Sequence, residues 1–215
     1  MLERIQNEII KYGKLAGEKS YTPGISGNIS ARLDDSKVVI TSSGSANGYL
    51  ENDEFSVINF DGEYVSGNLK PSSEKFLHLE FYKKRPDINY IFHVHSPYLT
   101  AFAAAGIPLD DAVSPEIIYC FGKIPLAKYA IPGSEDLVQK TSIFFDEYDI
   151  VLMENHGVIV GGSTIKQAYL NLELAEEYAK TLICAKFLGG AKILPEEEVE
   201  KIDNAVTDEF INNNF

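Results

Sequence analysis

Only four histidines occur in this 215-residue chain, and two of them, His93 and His95, stand one residue apart in FHVHSPYL. In a strand, residues i and i+2 point to the same face. Two imidazoles placed so can grip one metal ion or merely decorate a polar sheet face. The preceding Tyr90, Ile91 and Phe92 suit a buried strand, and neighbouring imidazoles buried there need a reason. A divalent metal is the simplest, because neutral imidazole is a good zinc ligand. His156, in ENHGVIVGG, is followed directly by Gly157, which permits close backbone approach or a positive φ in a tight turn. A catalytic zinc commonly takes three protein ligands and keeps one position open. His93, His95 and His156 form such a set if their two segments meet; a turn histidine is the bland alternative for His156.

Two further groups of residues can support chemistry at such a centre. In SSEKFLH, Ser72, Ser73 and Glu74 stand where a helix begins. Capping explains them there, since a carboxylate is electrostatically favoured at a helix N-terminus. Beside a metal, Glu74 is also a candidate general base. His78, one helical turn later, reads as a structural or supporting residue rather than a fourth ligand. The small-residue loops GISGNIS (24–30) and TSSGSANG (41–48) match no Walker or dinucleotide pattern. Each alone is a hairpin turn. With Ser72 and Ser73 they supply hydroxyls and backbone N–H groups of the kind that hold phosphate without cationic side chains.

The elements that must position these residues follow from periodicity. Leu2, Ile5, Ile9 and Leu15 fall at helical intervals and predict a first helix over 2–18. NISARL, KVVIT, FSVINF and GEYVSG read as short strands joined by hairpins. PSSEKFLHLEFYKKRP predicts a helix with a serine N-cap, INYIFHVH a buried strand, and SPYLTAFAAAG a short helix stopped by Gly106. KIPLAKYAIPG is expected as a strand and SEDLVQKTSIFF as a helix. YDIVLMENHGVIVGG reads as two strands around a turn, and a long helix capped by Ser163 or Thr164 follows. The expected architecture is one α/β domain over 1–215, with a central, mostly antiparallel sheet flanked by helices and a helical or flexible tail over 195–215.

Composition narrows the partners. Nineteen basic against 32 acidic residues give a formal charge of −13, which argues against nucleic acid or an anionic membrane, because phosphate neutralisation needs clustered Lys and Arg. MLERIQNEIIKYGKLAGEKS is amphipathic and charged, unlike a signal peptide, and no apolar run approaches the roughly 20 residues that span a bilayer. Cys120 and Cys184 lack ligand spacing and read as reduced thiols of a cytoplasmic protein.

Taken in order, SGNIS, TSSG, KPSSE, HVHS followed by TAFAAAG, and NHGV–GG before a long helix resemble the class II aldolase/adducin family, most closely its L-fuculose-1-phosphate aldolase branch. The resemblance runs from the first helix to about residue 188. It implies a zinc ion on His93, His95 and His156, with Glu74 as general acid/base that also occupies the metal when substrate is absent. It implies phosphate binding at Gly27, Asn28, Ser43, Gly44, Ser72 and Ser73, and a homotetramer with active sites at subunit interfaces. The implied reaction cleaves a ketose 1-phosphate to dihydroxyacetone phosphate and a small aldehyde, lactaldehyde for fuculose 1-phosphate, through a metal-stabilised enediolate. The tyrosine that serves the aldehyde oxygen in that branch is matched by Tyr119, with Tyr129 as competitor and ordinary packing as the alternative for both. The tail carries Phe210 and Phe215 but lacks the tyrosine of the aldolase relatives.

Other members of the superfamily stay open on these residues. Ribulose-5-phosphate 4-epimerases share the metal histidines but resemble PSSD where PSSE stands here, and use a histidine beyond the third ligand; none follows His156. Methylthioribulose-1-phosphate dehydratases and sugar-acid-phosphate decarboxylases keep comparable groups. A non-enzymatic adducin-like interaction domain is the reading of another class, and adducin-type domains lack the histidines retained here.

Overall fold

The computed structural model describes residues 1–205. One eight-stranded sheet organises them, in the order β4-β3-β2-β1-β5-β8-β7-β6. The strands are β1 (Asn28–Asp34), β2 (Lys37–Thr41), β3 (Phe55–Asn59), β4 (Tyr64–Gly67), β5 (Tyr90–Val94), β6 (Leu126–Ala127), β7 (Ile150–Met153) and β8 (Gly157–Gly162). All neighbours pair antiparallel except β6 and β7. This is the sheet expected from the alternating short runs.

The helices are α1 (Leu2–Glu18), α2 (Lys75–Lys84), α3 (Pro97–Ala105), α4 (Pro115–Cys120), α5 (Glu135–Ser142), α6 (Ile165–Phe187) and α7 (Glu196–Ala205). Period-2 alternation sorts the sheet residues between two cores. Ile29, Phe92, Val94, Val158 and Val160 pack with Ile9 of α1, Leu99 of α3 and Leu172 of α6. Ile40, Ile91, Val151 and Ile159 pack with Leu77 and Phe81 of α2 and Leu137 of α5. The rings of Phe81 and Phe145 stack with centroids 4.1 Å apart.

That alternation decides where the chemistry can sit. Ile91 faces α2, so His93 and His95 face it too. Asn28 pairs with His93 and Ser30 with Ile91, which places these two polar side chains under the same helix.

Several local expectations change. The serine cap of α2 is displaced: the N-cap position is Glu74, with no side-chain capping bond, and the Ser72 hydroxyl instead accepts the Glu74 N–H at 3.2 Å. KIPLAKYAIPG yields only the two-residue β6, which starts directly after Pro125, a residue with no N–H to extend the ladder backwards. PEIIYC forms the short α4, entered through Pro115. Thr164, not Ser163, caps α6, accepting the Gln167 N–H at 3.1 Å. The tail supplies α7, and residues 206–215, with Phe210 and Phe215, lie outside the described residues.

Candidate metal centre

His93 and His95 leave the end of β5, and His156 sits in the turn between β7 and β8. Asn155 turns the chain with a φ of 55°. Gly157 is required for contact rather than for a positive φ. A Cβ there would lie 2.5 Å from the Val94 carbonyl oxygen and 2.7 Å from the His95 ring. Gly27 answers the same need across β1, where a Cβ would meet the His93 carbonyl oxygen at 2.3 Å. The strands can therefore close on one another only with glycine at both places.

The three histidines meet. Their ligand atoms lie within 4.8 Å of one another, and Nε2 of His93 and His95 are 3.3 Å apart. A tetrahedral ion with bonds of about 2.0–2.1 Å separates its ligand atoms by roughly 3.3–3.4 Å. His93 Nδ1 lies 3.0 Å from the Val158 carbonyl, an acceptor only, which leaves the Nε2 lone pair facing the cluster. Glu74 enters from the start of α2, with Oε2 3.0 Å from His93 Nε2 and Oε1 3.3 Å from His156 Nε2. Oε1 is buried and accepts no hydrogen bond.

The charges fit a cation-binding centre. Burial pushes the Glu74 carboxyl up, but His93, His156 and the Asn28 amide pull it further down, so it stays ionised. Burial, then His93, push both His95 and His156 down to about 4, which keeps these rings neutral and able to ligate. Burial opposes protonation of His93 as well, yet the facing Glu74 carboxylate outweighs it and raises the value. A carboxylate facing three imidazoles, with a buried oxygen lacking a donor, suits a divalent ion.

Around this centre the small-residue loops gather. Asn47 Nδ2 donates to the carbonyls of Ser26 and Gly27 at 3.1 and 2.9 Å, tying the first loop to the second. Ser42 bridges to Pro71, and the Ser43 N–H donates to Lys70, tying the second loop to KPSSE. Ser43, Gly44 and Ser73 are exposed, whereas Ser72 is buried beneath the Glu74 N–H. The Asn28 side chain turns to Glu74 and His78.

The tyrosines separate. Tyr119 stands on α4, whose Ile117 belongs to the core on the α6 side, the layer opposite Glu74 within one subunit. Tyr129 is exposed, and its N–H donates to Glu154 Oε2 at 3.0 Å, two residues before His156.

One residue escaped sequence reasoning. Glu176 of α6 is 3% exposed and accepts from the Ser96 hydroxyl and the N–H groups of Tyr98 and Leu99 at 2.8–2.9 Å. It caps α3 from a distant element, immediately after His95. Glu176→Gln should lower stability by about 1.5–3 kcal/mol, measured as the urea midpoint at fixed protein concentration; an unchanged midpoint would remove it as an anchor. His78 was read from the sequence as a structural or supporting residue, and the sequence also carries a signal of its partners: Glu74, His78 and Tyr82 recur every four residues, and Asn28, Ser30 and Arg32 every two.

The family is established by comparison. The model of the class II aldolase and adducin N-terminal domain matches residues 7–183, and the chain belongs to that family. It is 36% identical over 211 residues to a 3-oxo-tetronate 4-phosphate decarboxylase of Haemophilus influenzae, covering 95% of this chain and 99% of the relative. It is 35% identical over 203 residues to a 5-deoxy-D-ribulose 1-phosphate aldolase of Bacillus thuringiensis serovar kurstaki, covering 94% and 95%. A solved L-fuculose 1-phosphate aldolase superposes with a TM-score of 0.86 at 31% identity, over 94% of this chain and 95% of that one. The fold is that of the class II aldolases, which are metal-dependent, and the enzymes this chain resembles are aldolases and decarboxylases. Among the described residues, no helix is long and apolar enough to cross a membrane.

Proposed function

We propose that this protein is a zinc-dependent aldolase cleaving a ketose 1-phosphate of the L-fuculose 1-phosphate kind to dihydroxyacetone phosphate and a small aldehyde such as lactaldehyde. The observation that carries this reading is Glu74: one oxygen is tied down by Asn28, while the other, buried without a donor, looks into the histidine cluster. His93, His95 and His156 would hold the ion, with Glu74 beside it when substrate is absent. When bound, the ion supplies Lewis acidity that offsets negative charge on the ketone half as the C3–C4 bond breaks. Glu74 Oε1 moves the proton at C3, on or off according to direction.

The substrate phosphate falls to the loops. Ser43, Gly44 and Ser73 present exposed donors, and Gly27, Asn28 and Ser72 frame them. The aldehyde-side oxygen needs its own proton carrier. Tyr119, on the far layer of its own chain, would serve a neighbouring subunit's site in a homotetramer. Tyr129 would serve its own. The free thiols of Cys120 and Cys184 agree with a cytoplasmic enzyme.

A sugar-acid-phosphate decarboxylase is the second reading, supported by the Haemophilus influenzae relative. Loss of CO₂ leaves the same kind of charge beside a ketone, so the site alone serves both. Incubation of zinc-loaded protein with dihydroxyacetone phosphate in D₂O, followed by NMR, tests the enediolate that both reactions share: a hydroxymethyl proton should exchange for deuterium, and chelation should stop it. The substrate separates them. The aldolase releases an aldehyde from L-fuculose 1-phosphate, whereas CO₂ released from a 3-oxo-tetronate 4-phosphate, with no aldehyde from the ketose 1-phosphate, would overturn the aldolase in favour of the decarboxylase.

A further inference from the structure

Four helical residues rise about 6 Å and two strand residues about 6.6 Å. The series Glu74, His78, Tyr82 can therefore lie in register over Asn28, Ser30, Arg32, and it does. Asn28 Nδ2 donates to Glu74 Oε2 at 3.1 Å, and Asn28 Oδ1 meets His78 Nε2 at 2.5 Å. The Ser30 hydroxyl lies 2.7 Å from His78 Nδ1 and 2.8 Å from the Tyr82 hydroxyl. Arg32 closes the far end, donating to the Tyr82 carbonyl at 2.9 Å and covering the Tyr82 ring. His78 and Ser30 have no solvent exposure, and Tyr82 has 1%.

Donor and acceptor chemistry sets the direction of this chain. A carboxylate only accepts, so Asn28 spends N–H groups on Glu74 and turns its carbonyl to His78. His78 Nε2 must then carry the hydrogen, leaving Nδ1 to accept from Ser30. A serine has one hydrogen, so Tyr82 supplies the last donor. Burial, then His93, push His78 down to about 3, and burial holds the proton on Tyr82. Each donor in the series points toward Glu74.

We propose that His78 is a positioning residue acting through Asn28: it locks the amide in the orientation that holds Glu74 Oε2 and leaves Oε1 for proton transfer. The inference rests on Glu74 being the acid/base named above. With the opposite tautomer, a bare Nε2 would face Asn28, the amide would turn over, and its carbonyl would oppose the carboxylate.

The test has two readouts on the zinc-loaded enzyme. In ¹⁵N-histidine-labelled protein, with the resonance identified by its loss in His78→Gln, His78 should carry hydrogen on Nε2 and none on Nδ1. Hydrogen on Nδ1 would overturn the proposal. In the exchange assay, His78→Leu should lower kcat about 10- to 100-fold at unchanged KM and zinc content. His78→Gln, which retains an N–H donor, should recover part of that loss. Equal losses in both variants, or a rise in KM alone, would reduce His78 to packing. Should His78→Leu fail to fold, the tautomer still decides. A wild-type enzyme silent in exchange would count against the aldolase reading, and the tautomer would decide the direction of the chain without it.

Discussion

Glu74→Gln is expected to lower metal-dependent deuterium exchange into dihydroxyacetone phosphate by about 10²- to 10⁴-fold, the span that a positioned general base contributes. The substitution is close to isosteric. The side-chain carbonyl of glutamine can still accept from Asn28, which holds Oε2 at 3.1 Å, so the strand–helix contact survives. What disappears is basicity at the position of Oε1, buried and facing His156. The three imidazoles remain, so metal measured after desalting should stay close to one equivalent. That separation gives the test its force. Exchange within tenfold of wild type, at equal metal content, would show that another group moves the proton. Loss of exchange together with loss of metal would show instead that Glu74 acts chiefly as a ligand.

How far such a site can be read from sequence depends on whether its parts share one element. His93 and His95 do, and period 2 alone puts them on one face. His156 lies beyond three further helices, β6 and β7, and only the family resemblance joined it to the pair. The role of Gly157 could be narrowed to two options, and only the packing of His95 and the Val94 carbonyl against it chose between them. Glu74 read equally well as a cap, because a carboxylate at a helix start satisfies the same electrostatics whether or not a metal stands beside it. Glu176 was illegible: it is one glutamate among several in a long helix, and its three donors come from another segment. The short α4 was missed and the strand at β6 was drawn too long, because six residues and two residues carry too little periodicity to mark their own bounds.

His95→Ala should abolish stoichiometric metal binding, with the affinity falling by more than about 100-fold, since even partners outside the ligand shell are worth 10- to 100-fold. His95 is the ligand whose removal disturbs the fold least. It lies just past β5 and is partly exposed, whereas His93 is completely buried and tied to the Val158 carbonyl. Its ring packs on Gly157, so alanine opens space at the mouth of the site rather than in the core. The sheet should persist, and circular dichroism of the variant should match wild type. Metal analysis after dialysis against a weak chelator reads the outcome. A variant still holding one equivalent would remove His95 from the ligand set, leaving Glu74 with His93 and His156 as the remaining donors. A variant without metal, folded and silent in exchange, ties the ion to the chemistry through one side chain.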